Sequence, residues 1–279
     1  MNTDQAPKLN EFQSLPVQAD FELDDGPGRY RIGLIALSND LATERDFSRM
    51  GRGEEIAVFV SRVPNAETCS VANLRAMEPE LTHAASLLIP GSRLDAVAYS
   101  CTSGTVVLGY DTVAQRIRDA RPGIPVTTPI TASLAALYRL GAGNIAVLTP
   151  YTDEVNAPVA KYIKASGLDI AAFTSFQFAS NDTMARTPPR AIYQAALEAD
   201  RPEADALFIS CTAIRAADVV DSIEQAVGKP VVTANQALFW QALRFAGCEW
   251  PIEGFGRLLR TASSRISVDC VPPIGKRML

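Results

Sequence analysis

Two cysteines in a shared setting are the residues of this chain best suited to covalent or acid–base chemistry. They occur in YSCTSGTVV at 99–107 and ISCTAIRAADVV at 209–220. A thiolate is a nucleophile and a thiol is an acid, so two facing thiols could attack and protonate the same small molecule. Cys101 and Cys211 each follow an apolar run and precede small residues and a helical pattern. That order predicts the carboxyl end of a parallel strand, where open α/β sheets bind ligands. Free N–H groups and the positive end of a following helix favour thiolate there. Together with the hydroxyls of Thr102, Ser103 and Thr212 they would cradle a carboxylate. A cysteine closing a buried strand is also a small hydrophobe, which is the expectation for Cys69, Cys248 and Cys270. The repeated tripeptide favours function for the other two.

The elements that must position these thiols alternate. Short β-branched runs at 31–37, 55–63, 94–100, 144–150, 168–176, 204–210 and 229–234 predict buried strands. Helical patterns at 66–89, 109–120, 131–140, 153–166, 188–199, 214–227 and 236–246 lie between them. Strand then helix, repeated, predicts parallel sheets covered on both faces, the α/β class. IGLIALSND aligns with IAVLTPYTD at nearly the spacing that separates the two Ser-Cys-Thr segments. The internal repeat favours two similar Rossmann-like lobes related by a pseudo-two-fold, with the site in the cleft between them. One continuous doubly wound sheet is the alternative. The expected division is a polar, acidic arm at 1–28 without periodicity, a first lobe at 29–130 plus 233–262, a second at 131–232 and a tail at 263–279.

At 279 residues the chain is long enough for two cores. Its 47% hydrophobic and 20% charged residues are those of a folded domain. A net charge of −5 and the lack of any dense Lys/Arg run argue against nucleic acid. No apolar run is long enough to span a bilayer and no signal-peptide pattern opens the chain, so a cytoplasmic protein without a membrane partner is expected. Five cysteines without CxxC spacing predict reduced thiols, and with His83 the only histidine no metal site is expected. His83 falls inside a helical pattern, where a surface or packing role is expected. The chain has no P-loop, no GxGxxG after the first strand and no lysine in a Schiff-base context, so no cofactor is expected.

Several segments in order, IALSNDLATERDF, YSCTSG, VLTPYTDEVN, FASNDTMART, FISCTAI, PVVTANQALFWQALR and GFGRLLR, carry a family resemblance from about residue 30 to 260. The chain resembles the aspartate/glutamate racemase superfamily, in the branch of maleate cis-trans isomerases, arylmalonate decarboxylases and related ectoine-utilisation proteins. The resemblance implies a cofactor-independent, homo-oligomeric enzyme acting on a small carboxylate. By that resemblance Cys101 is the nucleophile and Cys211 the proton donor, and Asn39, Tyr151 and Asn181 hold substrate.

Each of these three also has a local role open to it. Asn39, before Asp40, fits a turn or helix cap, Tyr151 fits a loop aromatic, and Asn181 opens a loop before the helix near Pro188. Arylmalonate decarboxylases keep the second cysteine and carry glycine at the first, so two thiols point away from decarboxylation. Thr102-Ser103, by contrast, is closer to the decarboxylase turn. The expectation is therefore isomerisation of maleate to fumarate. Racemisation of an amino acid or N-acyl diamino acid is the alternative, and a non-catalytic binding protein stands behind both.

Overall fold

The computed structural model describes residues 14–53 and 55–261. The expected tail at 263–279, with Cys270, and the first 13 residues of the expected arm lie outside them. Residues 14–27 are exposed and form no helix or strand.

The first half runs β1 (Tyr30–Leu37), α1 (Thr43–Met50), β2 (Ile56–Val63), α2 (Val71–Ala76), α3 (Leu81–Ser86), β3 (Ala96–Tyr99), α4 (Thr102–Leu108), α5 (Tyr110–Ala120) and β4 (Val126–Thr127). The buried helix α6 (Pro129–Arg139) leads to the second half. That half runs β5 (Asn144–Tyr151), α7 (Asp153–Ala165), β6 (Asp169–Phe178), α8 (Asn181–Arg186), α9 (Pro189–Ala199), β7 (Ala206–Ile209), α10 (Val220–Val227) and β8 (Val231–Thr233). Helices α11 (Ala234–Phe245) and α12 (Gly256–Arg260) complete the described chain.

The described residues form two sheets, each of four parallel strands, in the orders β2-β1-β3-β4 and β6-β5-β7-β8. The same strand order twice is the two-lobed α/β architecture that the internal repeat predicts. Strands β1, β3, β7 and β8 are wholly buried, which is why they read as continuous apolar runs rather than alternating ones.

Helices α6 and α11 leave the last strand of each sheet and pack on one another. Both are almost entirely buried and start at capping boxes, Thr128 with Thr131 and Thr233 with Gln236. A helix buried nearly all round belongs inside a molecule, and in α11 the buried Asn235, Gln236 and Gln241 each hydrogen-bond there. Helix α11 also packs on β3 and α1, so after the second sheet is complete this helix returns to the first.

The structure corrects several expected elements. The helix expected over 66–89 is broken into α2, a 3₁₀ turn at Glu78–Glu80 and α3. Pro79 supplies no N–H there, and Ser70 caps α2 by accepting from the Asn73 N–H. Residues 66–70 instead form part of a strap between β2 and α2. The helix expected at 109–120 is preceded by α4 and separated from it by Gly109, whose φ of 85° a side-chain-bearing residue adopts at a cost. Asn181 opens α8 rather than lying in a loop, because the Ser180 hydroxyl accepts from the Thr183 N–H and caps the turn. Strand β4 has only two residues, too few to show a pattern. Among the described residues no helix is long and apolar enough to cross a membrane.

Candidate active site

Cys101 and Cys211 stand just beyond the carboxyl ends of β3 and β7, the corresponding strands of the two sheets. Both are buried, and both line one small cavity of about 20 Å³. Thr102, Ser103, Tyr151, Asn181 and Thr212 line it too, so five of the six expected substrate-binding residues meet around the two thiols. Asn39 is the exception. Its neighbour Asn65, which donates to Asn39 Oδ1 at 2.8 Å, lines the cavity instead.

The first thiol caps a helix. Cys101 is extended (φ −146°, ψ 109°) and its Sγ accepts from the Gly104 N–H at 3.2 Å. Gly104 is required by close approach, because a Cβ there would meet Cys101 Sγ at 2.8 Å and Tyr99 Oη at 2.9 Å. Ser103 Oγ lies 3.9 Å from Cys101 Sγ and 3.9 Å from the sulfur of Cys69. Thr102 Oγ1 is buried with no hydrogen-bond partner, leaving a hydroxyl at the cavity wall free to serve a ligand.

The second thiol caps nothing. Contrary to expectation, no α-helix follows Cys211 until Val220, and the intervening chain makes only a 3₁₀ turn at Ala216–Asp218. Cys211 has φ 92°, a left-handed conformation that costs a residue with a Cβ. This lets the Ala213 N–H reach back to Cys211 Sγ at 3.4 Å. Tyr151, the last residue of β5, is buried and lines the cavity beside the same thiol, whose acidity its phenol favours.

A polar network ties the two turns together. Thr212 Oγ1 donates to the carbonyl of Ser100 at 3.1 Å, joining the residue after one cysteine to the residue before the other. Ser100 Oγ and Thr43 Oγ1 are 2.7 Å apart, and Thr43 Oγ1 donates to Asp40 Oδ2 at 2.5 Å. Asn235 of α11 donates to Asp46 Oδ2 at 2.9 Å and to the Thr212 carbonyl at 3.0 Å.

The expected preference for thiolate is overturned. Burial raises Cys101 above the ordinary thiol range despite the Gly104 N–H, and pushes Cys211 up to about 12 despite the nearby Tyr151 phenol and the Ala213 N–H. Desolvation of the charged form outweighs the donors around each sulfur. Both groups are thiols in this buried site, with the neighbouring phenols Tyr99 and Tyr151 held well above their usual values by the same burial.

The strap at 64–70 covers this cavity. Asn39 Nδ2 and Asn181 Nδ2 both donate to the Ala66 carbonyl, at 3.4 and 2.9 Å, and Asn181 Nδ2 also donates to that of Glu67 at 3.0 Å. The strap is further held by Cys69 N–H to the Ala179 carbonyl and by Val71 N–H to Glu154 Oε1. It brings in two residues that the sequence left unmarked, Asn65 and Cys69, the latter expected to be simple packing. Nothing in VPNAETC distinguishes them, since their place depends on a loop crossing from one sheet to the other. His83, in α3, is absent from the lining, and no lining residue carries a charge. Among the described residues no three His, Cys, Asp or Glu side chains are grouped to hold a metal ion.

Known proteins resemble this chain to different degrees. A maleate isomerase of Nocardia farcinica is 27% identical over 256 residues, 85% of this chain and 98% of that one. An arylmalonate decarboxylase of Bordetella bronchiseptica is 32% identical over 139 residues, which are 49% of this chain and 58% of that enzyme. The structure of the Nocardia farcinica maleate cis-trans isomerase in a cysteine-to-serine mutant with a covalently bound succinylcysteine intermediate superposes with a TM-score of 0.76 at 24% identity, covering 83% of this chain and 98% of that one. The model of the arylmalonate decarboxylase family matches residues 82–259, a span that holds both thiols, Tyr151, Asn181 and α11. This chain belongs to the arylmalonate decarboxylase family, in the enzyme branch that holds maleate isomerases as well as decarboxylases.

Proposed function

We propose that the protein is a cofactor-independent isomerase of a small unsaturated dicarboxylate, converting maleate to fumarate. The observation that carries this is the pair of buried thiols, one from each sheet, on one cavity ringed by neutral hydroxyl, phenol and amide groups. Neutral donors bind a carboxylate without a cation.

Cys101 Sγ loses its proton and adds to one alkene carbon of maleate. No Asp, Glu, His or Lys lines the cavity, so a substrate carboxylate is the base within reach. As the C–S bond forms, the alkene π pair moves to the other carbon, which takes the proton of Cys211 Sγ. The product is a succinyl thioether whose central bond is single and turns freely. Cys211 thiolate then removes the proton, the C–S bond breaks with its electron pair returning to Cys101 sulfur, the substrate carboxyl gives its proton back to that sulfur, and fumarate leaves.

The succinylcysteine of the Nocardia farcinica enzyme is the intermediate that such a sequence requires, which supports the reading. The Gly104 N–H at Cys101 Sγ favours sulfur as an anion and fits that residue for attack. The Tyr151 hydroxyl at Cys211 would steady the thiolate left after protonation.

The test is a proton NMR time course with maleate in deuterated buffer, beside Cys101→Ala and Cys211→Ser. Wild type should build the fumarate vinyl signal. Cys101→Ala should give neither product nor adduct, and Cys211→Ser should accumulate protein heavier by one maleic acid at Cys101. Turnover by either variant at the wild-type rate would sink the proposal. So would an unchanged maleate spectrum, and deuterium entering the α-carbon of an amino acid without any adduct would then identify a racemase.

A further inference from the structure

The second thiol poses a positioning problem that the first does not. Cys101 is held by the helix it caps, whereas Cys211 sits at φ 92° in a turn that no α-helix continues. A strained turn persists only where its surroundings over-determine it. The surroundings here come from elements remote in sequence. On the far side of the turn, Arg45 of α1 forms a two-point ion pair with Asp218 at 3.1 Å for each bond, and Arg49 reaches the same carboxylate. On the near side, the Thr212 carbonyl is met by Asn235 Nδ2.

Asn235 is itself fixed. Its side-chain nitrogen has two hydrogens, one for Thr212 and one for Asp46, and Thr43 Oγ1 lies 3.4 Å from its oxygen. Turning the amide over would set its oxygen against a carboxylate and a carbonyl. Asp46 is fully buried, and is anchored by Arg45 Nη1 at 3.1 Å. Neither Asn235 nor Asp46 lines the cavity, so each acts through the turn and not on a substrate.

Resting on the isomerase reading for its chemistry, we propose that Asn235, oriented by Asp46, is a positioning residue that holds the Cys211 turn in register with Cys101. The turn is registered twice, by Thr212 Oγ1 to the Ser100 carbonyl and by Asn235 to the Thr212 carbonyl, and the second bond is the one that α11 and α1 supply.

The experiment compares wild type, Asn235→Ala, Asp46→Ala and Asp46→Asn in two readouts. The first is the rate of iodoacetamide labelling at each cysteine, mapped by mass spectrometry on the full chain. The second is kcat and KM for maleate. In Asn235→Ala and Asp46→Ala, Cys211 should label about tenfold faster while Cys101 stays within about twofold, as a loosened turn exposes its thiol. In the same variants kcat should fall about tenfold or more with KM within about twofold, because proton transfer and not binding has lost its geometry. Asp46→Asn keeps an acceptor oxygen for Asn235 and should restore both readouts most of the way.

Equal labelling of Cys211 in wild type and in both alanine variants overturns the proposal. A parallel rise at Cys101 and Cys211 does so too, since that is general loosening. If Asn235→Ala fails to fold, the Asp46 pair carries the same test. A wild type that leaves maleate unchanged removes the isomerase reading, while the labelling readout still decides the role of Asn235.

Discussion

Cys101 and Cys211 end corresponding strands and carry the same flanking residues, yet their turns are held by different means. The first is local: an extended cysteine, a helix beginning at the next residue, and a glycine close enough for its N–H to reach sulfur. The second is assembled from afar, by a phenol from β5, an amide from α11 and two arginines from α1. A copied strand order thus yields two thiols in unlike environments. That difference suits a reaction in which one sulfur must attack and the other must only give and recover a proton.

The comparison breaks most sharply at Gly104. In Gly104→Ala the new methyl would meet Cys101 Sγ and Tyr99 Oη below contact distance, with both groups walled in by the core. A fall in kcat of about 100-fold is expected, with about 1–3 kcal/mol lost from stability. Steady-state kinetics and urea melts read both, and wild-type activity in this variant would mean that the first turn is not tightly built.

The pH response sharpens the second turn. Cys211 titrates in the fold at about 12, above the roughly 8.5 of a free thiol. A group whose folded pKa is raised stabilises fully below the unfolded value and loses that contribution as pH rises through the folded one. Between pH 8 and pH 10 wild type should therefore lose about 1–2 kcal/mol more than Cys211→Ser. Urea melts at the two pH values measure this, and parallel losses would place the alkaline weakness elsewhere.

The smallest difference is one of rank. At 101 the cap favours serine over alanine by about 1 kcal/mol, because a hydroxyl can still accept from Gly104 N–H. At 211 the positive φ favours glycine over both by about 1 kcal/mol. Thermal melts of the six single variants should give these two orders, and the same order at both positions would remove the distinction.

Which parts were legible in the sequence follows from the range of the interactions. Buried parallel strands announce themselves as apolar runs, so β1, β3, β5 and β7 stood out, and with them the positions of both thiols. Helix α4 did not, because TSGTVVL is a weak helix former that the cap and packing decide. The helix expected at 214–227 begins only at Val220 for the converse reason: apolar spacing over the whole stretch fits a helix, but Asp218, in the 3₁₀ turn before it, is bound by Arg45 and Arg49 of α1. The raised thiols could not be read either, since local donors are visible in a sequence and burial is not. Asn39 and Asn181 are near the expected place, with their amides spent on the Ala66 carbonyl, a contact that no spacing rule encodes.

The exposed stretch ahead of β1 bears on how the molecule behaves among its own copies. Leu15, Val17, Phe21 and Leu23 are all exposed, at odd positions, with Gln18, Asp20, Glu22 and Asp24 between them. In an extended chain such alternation puts apolar side chains on one side and acids on the other. A free apolar ribbon is a template for strand-to-strand sticking, and interleaved like charges are the ordinary guard against it. Three carboxylates that do not line the cavity would thus guard this stretch against self-association. Salt, which screens exposed charges beyond about 8 Å at physiological strength, weakens that guard without touching the buried site.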